Sequence, residues 1–231
     1  MIVTSEISCE YFSKLNKGYD KWFSTPFSGY VRKQQFKKFL EFTKKSKNYL
    51  EIGCGTGQFI SKVNCKKKVG VDISKNMIDT CKEKGLNAQF LVAPSEKLPF
   101  SDNSFECVGM MNVFQYLENP ESTIEELYRV TRPGGKIMFS VFSKNSISFN
   151  PLRFFVRKLF GENLPNVKFY NPGKISQMLK GKKFSIEGSG IRPPFESRLL
   201  YRYFWKQVEK YENVHHISPY LSVEMFVYIF K

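Results

Sequence analysis

Three glycines spaced by two, Gly53, Gly55 and Gly57, follow directly on the apolar run Tyr49-Leu50-Glu51-Ile52 and precede a helical pattern. Glycine permits positive φ and lets a ligand come close where a β-carbon would collide. The crevice beyond the carboxyl ends of parallel strands is where wound α/β sheets bind ligands. A glycine-rich turn is by itself a weak signal, and two carboxylates sharpen it. Glu51 stands two positions before the first glycine, where it would repel a phosphate and suits a cationic ligand. Asp72 ends the next apolar run, 15 residues after Gly57, and a carboxylate there can accept hydrogen bonds from both hydroxyls of a ribose. The dinucleotide fingerprint is G-x-G-x-x-G, with a pyrophosphate on the following helix N-terminus; the spacing here is G-x-G-x-G. The combination fits a nucleoside that carries positive charge and no phosphate.

Other candidates for chemistry are few. His215 and His216 are the only histidines, and no cysteine or carboxylate cluster near them has metal-ligand spacing, so no metal site is expected. One of them as a general base is the sharper reading; a loop residue near the last strand is the plainer one. Cys54 reads as a small residue filling the glycine turn. No nucleophile–base–acid arrangement is visible.

The elements that must position these residues alternate between short apolar runs and helical patterns, the signature of a wound α/β sheet. Residues 32–45 predict a helix burying Phe36, Phe39, Leu40 and Thr43. Strands are expected at Tyr49–Ile52, Val69–Asp72, Gln89–Ala93, Cys107–Met111, Ile137–Phe142, Phe184–Glu187 and Phe226–Phe230. A helix burying Phe59, Ile60 and Val63 should follow the glycine turn. Ser74 caps a helix that buries Met77, Ile78 and Cys81. Asn119-Pro120 opens another with Ile124, Leu127 and Tyr128 inward, and Asn171-Pro172 opens a third with Ile175, Met178 and Leu179 inward. Pro133-Gly134-Gly135 reads as a turn. Residues 198–212 carry a strongly aromatic helical pattern.

The run from Tyr49 to Phe142 resembles the class I S-adenosylmethionine-dependent methyltransferases, in particular the small-molecule group sharing E-x-G-C-G-T-G. The likeness continues through Val71-Asp72-Ile73-Ser74, Leu98-Pro99-Phe100-Ser101-Asp102-Asn103-Ser104-Phe105 and Arg132-Pro133-Gly134-Gly135, in order and over about 95 residues. It implies a Rossmann-like wound seven-stranded sheet, mostly parallel with an antiparallel C-terminal strand and helices on both faces. It implies S-adenosylmethionine as cofactor, with S-adenosylhomocysteine as its product. Gly53, Cys54, Gly55 and Gly57 would pass close to the methionine part and ribose, with Glu51 orienting the amino group or the loop. Asp72 would hold the ribose hydroxyls, and Ile73 and Met77 would flank the adenine. The backbone at Ser95 and Glu96 would approach the exocyclic nitrogen, and Asn112 would sit near the methionine carboxylate and the transferred methyl. Pro94 stands where relatives often have an acidic residue, and Gln115-Tyr116 stand where many have a histidine pair. Similar enzymes fold the N-terminal segment over the cofactor, so residues 1–31 are expected to form a lid using Tyr19, Trp22 and Tyr30.

Length and charge bound the rest. The 231 residues suit one domain, with 144–172 and 193–220 as insertions on the substrate side. No stretch approaches the roughly 18 apolar residues of a membrane span. No secretory signal is visible, and five cysteines without a C-x-x-C pair argue for a reducing cytoplasm. The net charge of +15 rests on 36 basic residues of which eight are arginine, so it reads first as a solvated lysine-rich surface. The leading expectation is methyl transfer to a small or moderately apolar metabolite. An RNA (tRNA) methyltransferase, an NAD-dependent oxidoreductase and a catalytically silent cofactor-binding module are the alternatives. Oligomeric state and the identity of the acceptor are not encoded in any motif.

Overall fold

The computed structural model describes residues 10, 11, 13, 26–144, 167–189 and 224–231. Seven strands form one sheet: β1 (Asn48–Ile52), β2 (Lys67–Asp72), β3 (Gln89–Val92), β4 (Phe105–Met110), β5 (Thr131–Phe142), β6 (Lys183–Ser189) and β7 (Glu224–Phe230). Their order is β3-β2-β1-β4-β5-β7-β6. The β1, β2, β3, β4 and β5 pairings are parallel, and β7 runs antiparallel to both β5 and β6. This is the wound, mostly parallel sheet that the alternation of runs predicts.

The helices divide between its two faces. Alternation along β1 sends Leu50 and Ile52 to one side, into a core with Ile124, Leu127 and Val130 of α3 (Pro120–Val130) and Ile175 of α4 (Pro172–Met178). Tyr49 points to the other, where Phe39 and Phe42 of α1 (Pro26–Thr43) meet Ile78 and Cys81 of α2 (Lys75–Glu83). Such strands, covered on both faces, read as nearly continuous apolar runs.

The capping expectations hold. Ser74 accepts from the Met77 amide, Asn119 from Ser122 and Asn171 from Lys174, with Pro120 and Pro172 opening their helices. Four local expectations are corrected. In α1, Leu40 is exposed, and the buried face runs through Arg32, Gln35, Phe39 and Phe42. The expected helix after Gly57 is only a 3₁₀ turn, Ile60–Lys62, although Phe59, Ile60 and Val63 are buried as anticipated. The crossover from β1 to β2 spans residues 53–66, close to the minimum of about a dozen for a parallel connection, and the glycine turn takes up its first part. Tyr128 is only partly buried, with Thr123 and Val130 sharing the inward face of α3. Pro133-Gly134-Gly135 lies within β5 as a bulge, because the register jumps from Phe105 opposite Thr131 to Cys107 opposite Lys136.

Among the described residues no helix is long and apolar enough to cross a membrane. The helical pattern at 198–212, the bodies of the expected insertions and most of the expected lid lie outside the described residues.

Candidate active site

A cleft opens at the carboxyl ends of β1, β2 and β4. It is lined by Gly53 and Gly55, by Asp72, Ile73 and Met77, by Ser95 and Glu96, and by Asn112, Val113 and Tyr116, among others. Eight of the residues singled out from sequence therefore converge on one surface. Among the described residues the lining includes the carboxylates Asp72, Glu96 and Glu118 and no lysine or arginine. On a chain with net charge +15, that local reversal of sign is informative.

The turn at the base of the cleft is held by its own backbone and by Asp72. Cys54 N–H donates to the Val71 carbonyl at 3.0 Å, tying the loop to β2. Asp72 Oδ2 accepts from Gly55 N–H at 2.8 Å and its Oδ1 from Ser74 N–H at 2.9 Å. Burial raises the Asp72 carboxyl above its ordinary range against these hydrogen bonds, which lower it. Gly53 has φ +64°, and a β-carbon there would lie 2.2 Å from Val113 Cγ2. Gly55 has φ +52°, but a β-carbon on it would meet nothing within 4 Å, because that side faces the cleft. Gly57 falls outside both cavities; a β-carbon on it would strike Leu86 Cδ1 at 2.3 Å, so it serves packing against α2.

A second, smaller cavity adjoins the first through Gly53, Gly55 and Met111. Glu51, Arg32 and Cys54 line it together with Thr56, Gln58 and Phe59. Glu51 is 1% exposed, and its Oε2 has no hydrogen-bond partner among the described residues. Burial pushes its carboxyl well above the ordinary range, more than the Ile60 amide and the Arg32 charge bring it down. The Arg32 guanidinium stacks over the Phe59 ring at 4.8 Å. Cys54 is buried with its thiol pushed up by its contact with Cys81 and by burial, which fits a turn-filling residue and not a nucleophile.

The residues expected to face the adenine all line the cleft. Ile73 is 45% exposed on the cleft wall, while Met77 beside it is buried. Ser95 Oγ lies 3.2 Å from Thr123 Oγ1 and donates to Glu96 Oε2 at 3.1 Å. Asn112 follows β4 in the left-handed region, φ +60°, and its side chain is engaged by Gln35 of α1. Tyr19, Trp22, His215 and His216 lie outside the described residues, as does the side chain of Tyr30.

Tyr116 was noted only as half of the pair that stands where relatives have two histidines; Arg32, Gln35, Val113, Glu118 and Glu224 are the site residues that sequence reasoning missed. None sits in a motif. Only the 3-4-3 spacing of Arg32, Gln35, Phe39 and Phe42 along one helix face carried a signal for the first two.

The other motifs prove to be scaffolding. Arg129 of α3 donates to the Leu98 and Phe100 carbonyls, to Asp102 and bidentately to Glu126, whose Oε1 also accepts from Leu98 N–H. That hub holds the Leu98–Phe105 motif. Pro133-Gly134-Gly135 lies at the amino end of the sheet, where Gly134 N–H donates to the Lys231 carbonyl. The two lysine clusters of the sequence, Lys44-Lys45-Ser46-Lys47 and Lys66-Lys67-Lys68, are at the same end: Lys47 precedes β1 and Lys67 opens β2 beside it, opposite the cleft.

Residues 50–139 match the family described as Methyltransferase domain. The chain is 34% identical over 159 residues to an uncharacterized protein of Methanocaldococcus jannaschii, covering 69% of this chain and 70% of that one. It is 32% identical over 162 residues to the malonyl-[acyl-carrier protein] O-methyltransferase of Buchnera aphidicola, covering 69% of this chain and 64% of the relative, just under two thirds of its length. Its fold is that of a crystal structure from Thermotoga maritima described as an S-adenosylmethionine-dependent methyltransferase, possible histamine N-methyltransferase. The TM-score is 0.69 at 18% identity, over 99% of this chain and all of that one.

Proposed function

The chain belongs to the class I S-adenosylmethionine-dependent methyltransferases, and from that premise we propose that it methylates a small or moderately apolar acceptor at the cleft above β1, β2 and β4. The observation that carries the cofactor placement is the charge pattern. Among the described residues the cleft is lined by three carboxylates and no cation, which suits a positively charged nucleoside and opposes a pyrophosphate. The oxidoreductase alternative is thereby set aside.

The residues present fit this ligand. Gly55 leaves open the space that a β-carbon would fill, and Glu51 Oε2 is a buried acceptor awaiting a donor. Asp72 would accept from the ribose hydroxyls, and Ile73 with Met77 would clasp the adenine. Ser95 and Glu96 would close its far edge. Arg32 and Glu51, facing one small cavity, would receive the carboxylate and ammonium of the amino-acid end, each neutralising one charge of a zwitterion. Tyr19 and Trp22, with residues 1–31, are proposed as the lid.

When bound, S-adenosylmethionine supplies an electrophilic methyl on a sulfonium whose departure leaves a neutral thioether. The protein's share is then orientation and exclusion of water, which can lower a barrier by up to roughly 7–11 kcal/mol in well-aligned systems. Asn112, Val113 and Tyr116, on the wall opposite Asp72 and Ile73, are placed to meet the acceptor. Residues 144–172 and 193–220 are proposed to complete the acceptor side. An acceptor of modest size is supported by the separation of the lysine clusters from the cleft, since a polyanion drawn to them would sit at the far edge of the sheet. The free thiols of Cys54, Cys65, Cys81 and Cys107 support a reducing cytoplasm.

Calorimetry tests the cofactor placement. S-adenosylhomocysteine should bind the whole chain, and Asp72→Asn should weaken it roughly 10–100-fold, the value of a charge-assisted hydrogen bond. Absence of binding at millimolar ligand would overturn the proposal. Transfer of a labelled methyl group into a cell extract then identifies the acceptor.

A further inference from the structure

Glu224 opens β7 at the same edge of the sheet as the cleft, although the sequence separates it from Asn112 by more than a hundred residues. It is 2% exposed. Gln35 of α1 bridges the two. Its Nε2 donates to Asn112 Oδ1 at 2.8 Å and to Glu224 Oε1 and Oε2 at 2.9 and 3.0 Å, while its Oε1 accepts from Asn112 Nδ2 at 3.3 Å. Ser140 of β5 completes the ring. Its Oγ accepts from Asn112 N–H at 2.9 Å, and its one hydroxyl proton has two acceptors in reach, the Glu224 carboxylate and Asn112 Oδ1 at 3.5 Å.

We propose that Glu224 is a positioning residue of the cleft, which through Gln35 and Ser140 sets how much hydrogen-bonding capacity Asn112 presents to a bound ligand. The logic follows from counting protons and lone pairs. An ionised Glu224 only accepts, so it draws the Gln35 amide and the Ser140 hydroxyl toward itself. Asn112 Oδ1 then receives one donor, from Gln35, and keeps a lone pair for the cleft. A neutral Glu224 donates its own proton to Ser140 Oγ, and the serine proton turns to Asn112 Oδ1. That carbonyl is then saturated from behind.

The exchange falls in an accessible range. Burial raises Glu224 to about 7, against the Gln35 and Ser140 hydrogen bonds and the more distant Arg32 and Lys38 charges, which lower it. Among the described residues the charged groups around it are Arg32 and Lys38 on α1 and Glu187 on β6, the last bound to Lys38 at 2.6 Å. Tyr228 lies further along β7, and β5 contributes only the uncharged Ser140.

This inference rests on the cofactor reading of the cleft, and its test separates the two. S-adenosylhomocysteine affinity is measured by calorimetry at pH 6 and pH 8 for the wild type, Glu224→Gln and Ser140→Ala. Glutamine reproduces the neutral acid, accepting from Gln35 and donating to Ser140. The wild type should bind about five-fold more tightly at pH 8, the value of one hydrogen bond. Glu224→Gln should bind at the weak level at both pH values. Ser140→Ala, with no proton to turn, should stay at the tight level. Any pH step contributed by Asp72 or Glu51 persists in Glu224→Gln. A wild type without the step, or a Glu224→Gln variant that keeps it in full, overturns the inference and leaves the cofactor reading standing. Failure of the wild type to bind at either pH overturns both.

Discussion

Gly53 and Gly55 look interchangeable in the motif, yet a side chain would meet different surroundings at each. Alanine at 53 would combine a left-handed backbone with a methyl driven into Val113, whose branched side chain has few ways to yield. Gly53→Ala should cost about 3 kcal/mol of stability, read from urea unfolding. Alanine at 55 pays only the backbone term, about 1 kcal/mol, because its β-carbon enters open space. Its effect should appear in binding, with S-adenosylhomocysteine affinity down about ten-fold. Equal stability losses at the two positions would contradict the geometry. Asp72 was legible from its place at the end of an apolar run, whereas Ile73, Met77, Ser95, Glu96 and Asn112 were named only through the family resemblance; all six line the cleft because each lies at or within a few residues of a strand's carboxyl end. The motif spacing did not separate Gly57, a packing glycine, from the two that border the cleft.

Helix α1 shows where periodicity misleads. Of the i, i+3, i+4, i+7 set, Phe39 and Thr43 are buried and Phe36 packs on the core, but Leu40 is exposed and the face that the sheet selects runs on through Arg32, Gln35 and Phe42. Phe39 and Phe42 pack on the sheet, while Arg32 and Gln35 cover its carboxyl edge, where Glu51 and Glu224 present buried carboxyls. A helix spanning both a core and a polar site has no clean apolar stripe to read. Helix α3 is the opposite case, with caps and inward positions legible and with a role that was not. Its Arg129 fixes the loop from Leu98 to Asp102. Arg129→Ala should destabilise the protein by about 2 kcal/mol, since it strips partners from two carbonyls and two carboxylates at a site about a third exposed. Thermal unfolding checks this, and an unchanged midpoint would show that the hub is ornamental to stability.

At the scale of the molecule, the sheet gathers three buried carboxyls, Glu51, Asp72 and Glu224, that burial raises above their ordinary range. A carboxyl that holds its proton more tightly when folded adds stability below its unfolded value, near 4.3 for glutamate, and loses it as pH rises through its folded value. For Glu224 that window closes at about 7. The ligand-free protein should therefore melt at progressively lower temperature from pH 5 to pH 8, with a shallower fall in Glu224→Gln. A midpoint that rises over this range would contradict the burial of these groups. The amino-acid order alone was enough for the wound sheet, the caps and the cofactor-side motifs, because strand-end loops and helix starts depend on neighbours within a few residues. Only the tertiary structure brought Arg32 to Glu51 and Glu224 to Asn112, and moved the lysine clusters to the edge opposite the cleft. Those relations depend on the order in which strands pair, and residues far apart in the chain carry no local periodicity to announce it.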